Sequence, residues 1–188
     1  GQAKCENYTL TGTTKAYTIN KASSTNPTLT KYEGTYDGAS HTFTLSGGAG
    51  GTIQYSTDGG TTWGATKPTR TNAGTTTVYV RVLGDTNHNT TTSLSANITI
   101  NRKEIAVPTC AEKTYNGASQ TLFVSGTGYT VGGTTKGTNA GTYTATATPT
   151  ANYQWNTTSN KTTAQNITCK INPKSVAVTW GSTTTFTY

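Results

Sequence analysis

The chain repeats itself, and that repetition limits its possible folds more than any other feature. Thr35-Tyr36-Asp37-Gly38-Ala39-Ser40-His41-Thr42 returns as Thr114-Tyr115-Asn116-Gly117-Ala118-Ser119-Gln120-Thr121. Thr71-Asn72-Ala73-Gly74-Thr75 returns as Thr138-Asn139-Ala140-Gly141-Thr142. Asn97-Ile98-Thr99-Ile100-Asn101 has partners in Thr168-Cys169-Lys170-Ile171-Asn172 and in Tyr17-Thr18-Ile19-Asn20. The landmarks keep the same order each time. The period is ~70–80 residues, long enough for each unit to be a small domain. The expected organisation is the tail of a preceding repeat at 1–22, repeat one at 23–101, repeat two at 102–172, and the first strands of a following repeat at 173–188. Glu6-Asn7-Tyr8 matches Ala151-Asn152-Tyr153, and Val176-Ala177-Val178 matches Ile105-Ala106-Val107. The links between repeats carry no long Gly/Ser or Pro tract, which predicts an elongated, semi-rigid string.

Inside a repeat the apolar period is two. Val78, Val80 and Val82 share one face of their run, as do Leu94, Ala96, Ile98 and Ile100 of theirs. In Thr142–Thr148 threonine alternates with Tyr143, Ala145 and Ala147. This is the half-buried strand pattern, and turn-forming Gly, Asn and Pro clusters separate the runs. Hydrophobic residues make up only 31% and charged residues 11%. Threonine supplies about a quarter of the chain; it is β-branched and suited to a pleated, half-solvated surface. The expected fold is therefore all-β, built from tandem small β-sandwiches (Ig-like) or similar compact β-domains such as a β-grasp-like sheet. In the Tyr-Asp/Asn-Gly steps the Gly supplies positive φ for a tight reversal, with Tyr36 and Tyr115 over the turn and their hydroxyls in water. Gly74 and Gly141 are expected to release the bends that launch the central strands.

These landmarks resemble the bacterial surface repeats called YDG and MBG domains, and more broadly bacterial Ig-like repeats. The likeness rests on Tyr36-Asp37-Gly38, Tyr115-Asn116-Gly117, Asn72-Ala73-Gly74-Thr75, Asn139-Ala140-Gly141-Thr142-Tyr143 and the closing Ile-x-Ile strands. The resemblance implies modular β-segments of secreted or wall-linked bacterial proteins that serve as spacers or adhesin parts. It carries over no catalytic residue and no cofactor.

The chemistry-bearing residues point the same way. Ser56-Thr57-Asp58-Gly59-Gly60-Thr61-Thr62-Trp63 matches the Asp-box pattern of sialidase propellers. A single copy, absent from repeat two, favours a hairpin in which Asp58 caps the turn and Trp63 packs beneath it. His41 and His88 lie in polar surroundings without metal-ligand spacing, and the seven carboxylates are scattered. No catalytic or metal-binding set is expected. The net charge of +7 comes from 14 basic residues spread along the chain, with no basic run, which argues against nucleic acid. No apolar run reaches the ~18 residues of a membrane span. Cys110 and Cys169 either pair or remain buried thiols; pairing would leave Cys5 over. Trp63, Trp155, Trp180, Tyr36 and Tyr115 are the candidate contacts for a glycan or an extracellular protein, weighed against a core role for each tryptophan. The expected function is a non-enzymatic stalk or spacer on the bacterial surface, whose partners include the neighbouring repeats of its own chain. The alternative is a carbohydrate- or host-protein-binding module.

Overall fold

The computed structural model describes residues 18–179 and residue 181. Cys5, Trp180 and the Glu6-Asn7-Tyr8 step lie outside the described residues. The protein is all-β, and no helix occurs among the described residues. The first half carries β1 (Ala22–Ser23), β2 (Thr25–Thr30), β3 (Tyr32–Thr35), β4 (Thr44–Ala49), β5 (Gly51–Ser56), β6 (Gly74–Gly84), β7 (His88–Asn89) and β8 (Leu94–Asn101). The second carries β9 (Lys103–Ile105), β10 (Lys113–Thr114), β11 (Gln120–Thr121), β12 (Tyr129–Gly133), β13 (Lys136–Gly137), β14 (Gly141–Pro149), β15 (Tyr153–Trp155) and β16 (Gln165–Asn172).

Two four-stranded sheets have the same plan, with strand orders β3-β8-β6-β5 and β10-β16-β14-β12. In each, a short strand pairs parallel with the last strand: Tyr32–Thr35 runs beside Ile98–Asn101, and Lys113-Thr114 beside Ile171-Asn172. In each, a hairpin strand pairs antiparallel with the long central strand, β5 with β6 and β12 with β14. A two-residue parallel ribbon of β1 and β7 has its equivalent in β9 and β15. The correspondence reaches single bonds. The Tyr36 N–H donates to the Asn101 carbonyl at 2.8 Å, and the Tyr115 N–H donates to the Asn172 carbonyl at 2.8 Å. The Ala22 N–H meets the Asn87 carbonyl at 2.8 Å, as the Lys103 N–H meets that of Asn152 at 2.9 Å.

By compactness the chain divides into two units. The first comprises residues 18–29, Leu45–Lys67 and Val78–Ser95; the second comprises Thr30–Thr44, Pro68–Thr77 and 96–179. In the first unit Val78, Val80 and Val82 are fully buried along β6. In the second, Leu122, Phe123, Ala145, Ala147, Trp155, Ile167, Cys169 and Ile171 form one core, with Ile105, Val107 and Tyr129 packed against it. The same unit buries Phe43, Ala96, Ile98 and Ile100. The buried positions are every second residue because successive side chains of a pleated strand face opposite sides. Leu94 departs from the expected alternation: at the first position of β8 it is 39% exposed.

Both Tyr-Asp/Asn-Gly turns close in the same way. The Ala39 N–H donates to Asp37 Oδ1 at 2.8 Å, and the Ala118 N–H to Asn116 Oδ1 at 3.0 Å. Gly38 and Gly117 sit at φ of +84° and +79°, where a side chain would be strained.

Candidate binding surface

The Asp-box hairpin follows directly from its sequence. Ser56 is buried at the end of β5, and its hydroxyl donates to Asp58 Oδ1 at 2.6 Å while accepting the Gly60 N–H at 2.9 Å. Asp58 also receives the Thr61 and Thr62 N–H groups at 3.0 Å and the Thr62 hydroxyl at 2.5 Å. These donors, led by the Ser56 and Thr62 hydroxyls, hold the Asp58 carboxyl well below the usual carboxylate range. Its acceptor capacity is spent on its own turn, so Asp58 acts as a structural staple.

Trp63 is locked beside that turn. Its Nε1–H donates to the Gly60 carbonyl at 2.8 Å. The Arg81 guanidinium carbon lies 4.1 Å from the centre of the indole, within cation–π range. Arg81 Nε and Nη2 both donate to Gln54 Oε1, at 3.0 and 2.9 Å. Trp63 thus remains half-buried, with one face occupied by a cation that is itself held by a neighbouring strand. Arg81 and Gln54 escaped the sequence reading. Their only sequence signal is that both belong to the solvent-facing rows of β6 and β5, where they face each other in register.

The other aromatic candidates have different fates. Trp155 is fully buried, and its Nε1–H donates to the Thr163 carbonyl at 2.9 Å. It is a core residue and offers no face to a ligand, which corrects its place among the contact candidates. Its ring tilts toward Tyr129 with centroids 6.1 Å apart, so the aromatic volume makes up for scarce aliphatic side chains. Tyr36 is half-buried, with its ring edge-on to Tyr153 at 5.5 Å, rather than standing free over its turn. Tyr115, its equivalent in repeat two, is 38% exposed. Trp180 lies outside the described residues.

Cys110 and Cys169 are joined by a disulfide, with their Cα atoms 5.2 Å apart and a sequence separation of 59. The histidines serve local turns. His41 Nε2 lies 2.9 Å from Asp37 Oδ1, and the ring stacks on Tyr32 at 4.5 Å. His88 Nδ1 lies 2.7 Å from Asp85 Oδ1. In repeat two Gln120 stands in for His41, donating to the Thr114 carbonyl at 3.0 Å. The carboxyls of Asp37 and Asp85 are lowered, first by their histidine and then by a backbone N–H. Glu104 is lowered by Lys161 at 2.7 Å and by Gln154.

A shallow cleft of about 280 Å³ opens between Thr75, Thr99, Asn101, Arg102 and Gln154, and its one ionisable lining residue is Arg102. Beside it Asn152 reaches across from repeat two. The Ala73 N–H donates to Asn152 Oδ1 at 2.8 Å, and Asn152 Nδ2 donates to Asn72 Oδ1 at 3.0 Å. Among the described residues no group of His, Cys, Asp and Glu is arranged to hold a metal ion, and no helix is long and apolar enough to cross a membrane. No protein-family model matches the chain, and no curated protein matches it.

Proposed function

We propose that this chain is a non-enzymatic spacer of a secreted or cell-surface bacterial protein, built from tandem Ig-like β repeats that hold a terminal part away from the cell. The observation that carries the reading is the recurrence of one strand plan, β3-β8-β6-β5 and β10-β16-β14-β12, on the two sequence repeats. A sheet in which an early strand runs parallel to the last strand, followed inward by the central strand and its hairpin partner, is compatible with one face of an Ig-like sandwich.

Single-molecule stretching tests the proposal. In reductant, two separate unfolding steps are expected, each releasing a repeat of ~70–80 residues. One step for the whole chain would refute it. A second reading, a glycan- or host-protein-binding module, is favoured by the Trp63–Arg81–Gln54 surface. On a glycan array the sugar version predicts binding that is lost in Trp63→Ala; no signal on any polysaccharide or mucin would remove it.

A further inference from the structure

We infer that the exposed patch of Tyr115, Asn139 and Ala140 on repeat two is a docking socket, and that its occupant is the Asn-Tyr loop of a further copy of this same repeat. The inference rests on the tandem-repeat reading above and adds the contact by which consecutive repeats are joined.

A filled version of the socket is already present in the chain. On repeat one it consists of Tyr36, Asn72 and Ala73, and it receives the loop at Asn152-Tyr153 of repeat two. Asn152 uses both ends of its carboxamide, accepting from the Ala73 N–H at 2.8 Å and donating to Asn72 Oδ1 at 3.0 Å. Tyr153 sets its ring edge-on to that of Tyr36, with 5.5 Å between centroids. One carboxamide meeting a backbone donor and a side-chain acceptor together fixes direction as well as distance. The aromatic contact lies beside it and adds an edge-to-face ring pair.

Repeat two presents the same three residue types on equivalent turns. Tyr115 follows the same Tyr-Asx-Gly plan as Tyr36, and its N–H makes the same bond to the end of the last strand. Asn139-Ala140 precedes β14 as Asn72-Ala73 precedes β6. The Asn139 backbone is already pinned, because its carbonyl accepts from the Tyr143 hydroxyl at 2.6 Å. Its side chain is exposed and has no hydrogen-bond partner among the described residues. Ala140 is exposed as well, and Tyr115 is open where Tyr36 is half-covered. The socket is therefore preformed, and its chemistry matches an asparagine followed by an aromatic ring.

The test compares the present chain with one in which a second copy of residues 102–172 follows Asn172. Asn139→Ala should leave the thermal midpoint of the present chain unchanged and lower that of the lengthened chain by about 4–8 °C. In the present chain Asn72→Ala, at the filled socket, should produce a drop of that same size. Equal effects of Asn139→Ala in the two chains would overturn the proposal. A measurement free of substitution accompanies it: hydrogen exchange at the Ala140 N–H should slow at least about tenfold in the lengthened chain, and an unchanged rate would likewise overturn the socket. Separate stretching steps for the two repeats would survive either failure, so loss of the socket is distinguishable from loss of the spacer reading.

Discussion

Reducing the Cys110–Cys169 disulfide should weaken repeat two selectively. The bridge closes a loop of 59 residues. In the chain-entropy account such a loop stabilises the fold by about 4 kcal/mol at 25 °C, through the freedom it removes from the unfolded chain. That is a large part of the roughly 5–15 kcal/mol available to a small domain. The sulfur of Cys169 sits in the core beside Ile167, Ile171 and Trp155, so replacing Cys169 would mix a cavity with the lost bridge. Reduction and Cys110→Ala, at the partly buried partner, are the cleaner perturbations. With an m value of about 1.3 kcal/mol/M, the urea midpoint of repeat two should fall by roughly 3 M. Hydrogen exchange localises the effect: protection on β14 and β16 should collapse, while that on β6 and β8 persists. Stretching gives a second readout, because the bridge hides the loop between Cys110 and Cys169, a sequence separation of 59, from the applied force. Reduction should lengthen one unfolding step by about 200 Å. A midpoint change below roughly 0.5 M, or equal loss of protection on β6 and β14, would refute the reasoning.

Three further predictions follow from the packing and the turns. Trp155→Ala should destabilise repeat two by about 3–5 kcal/mol, and Trp155→Phe, which keeps a ring but strands the Thr163 carbonyl, by about 1–3 kcal/mol; denaturant melts of both variants check the order. Gly38→Ala meets no neighbour but must hold a left-handed backbone, so it should cost about 1–2 kcal/mol, whereas at Gly74 a Cβ would also run into Arg70, so Gly74→Ala should cost more; paired thermal melts read the difference. Asp37→Asn keeps the bond to the Ala39 N–H, as in the Asn116 turn of repeat two, but removes the carboxylate that faces His41, so it should be less stable than wild type at neutral pH. The Asp37 pKa is lowered in the folded chain, so its contribution is complete above the unfolded value near 4 and is lost as pH falls below it. Acid unfolding curves should therefore show repeat one of Asp37→Asn to be less sensitive than wild type below about pH 4, and identical curves would contradict this.

What was legible in the sequence was local or periodic. The buried faces of β6 and β8 could be read from Val78, Val80, Val82, Ile98 and Ile100, because the pleat imposes a period of two whatever the partners are. The Asp58 turn was legible because all its donors lie within four residues. Features that depend on distant partners were not. β3 holds Gly34 in a four-residue run with no apolar stripe, and nothing in it announces a parallel neighbour more than sixty residues away. Three tryptophans of one chemistry were equal candidates, yet Trp155 is buried and Trp63 half-open, a choice made by tertiary packing. Nothing local in the sequence links Arg81 to Trp63, and only the fold brings the two together.

The same bond appears within a repeat and between repeats, which explains how so little apolar material holds the chain in order. With 31% hydrophobic residues, many backbone N–H groups lie near the rim of a small core and still need partners. Short polar side chains supply them. Thr91 accepts from the Val82 N–H at 3.0 Å, Thr90 from the Gly84 N–H at 3.1 Å, and Asp37 and Asn116 from the alanines two residues on. Asn152 makes the same contact, a side-chain oxygen taking an alanine N–H, with Ala73 79 residues earlier. A surface rich in Thr and Asn therefore closes its own turns, and under the docking proposed above a turn left open accepts the next repeat. On this view the abundance of Asn and Thr reflects how the repeats are joined as much as their solubility, and Asn139 is the position where the two roles separate.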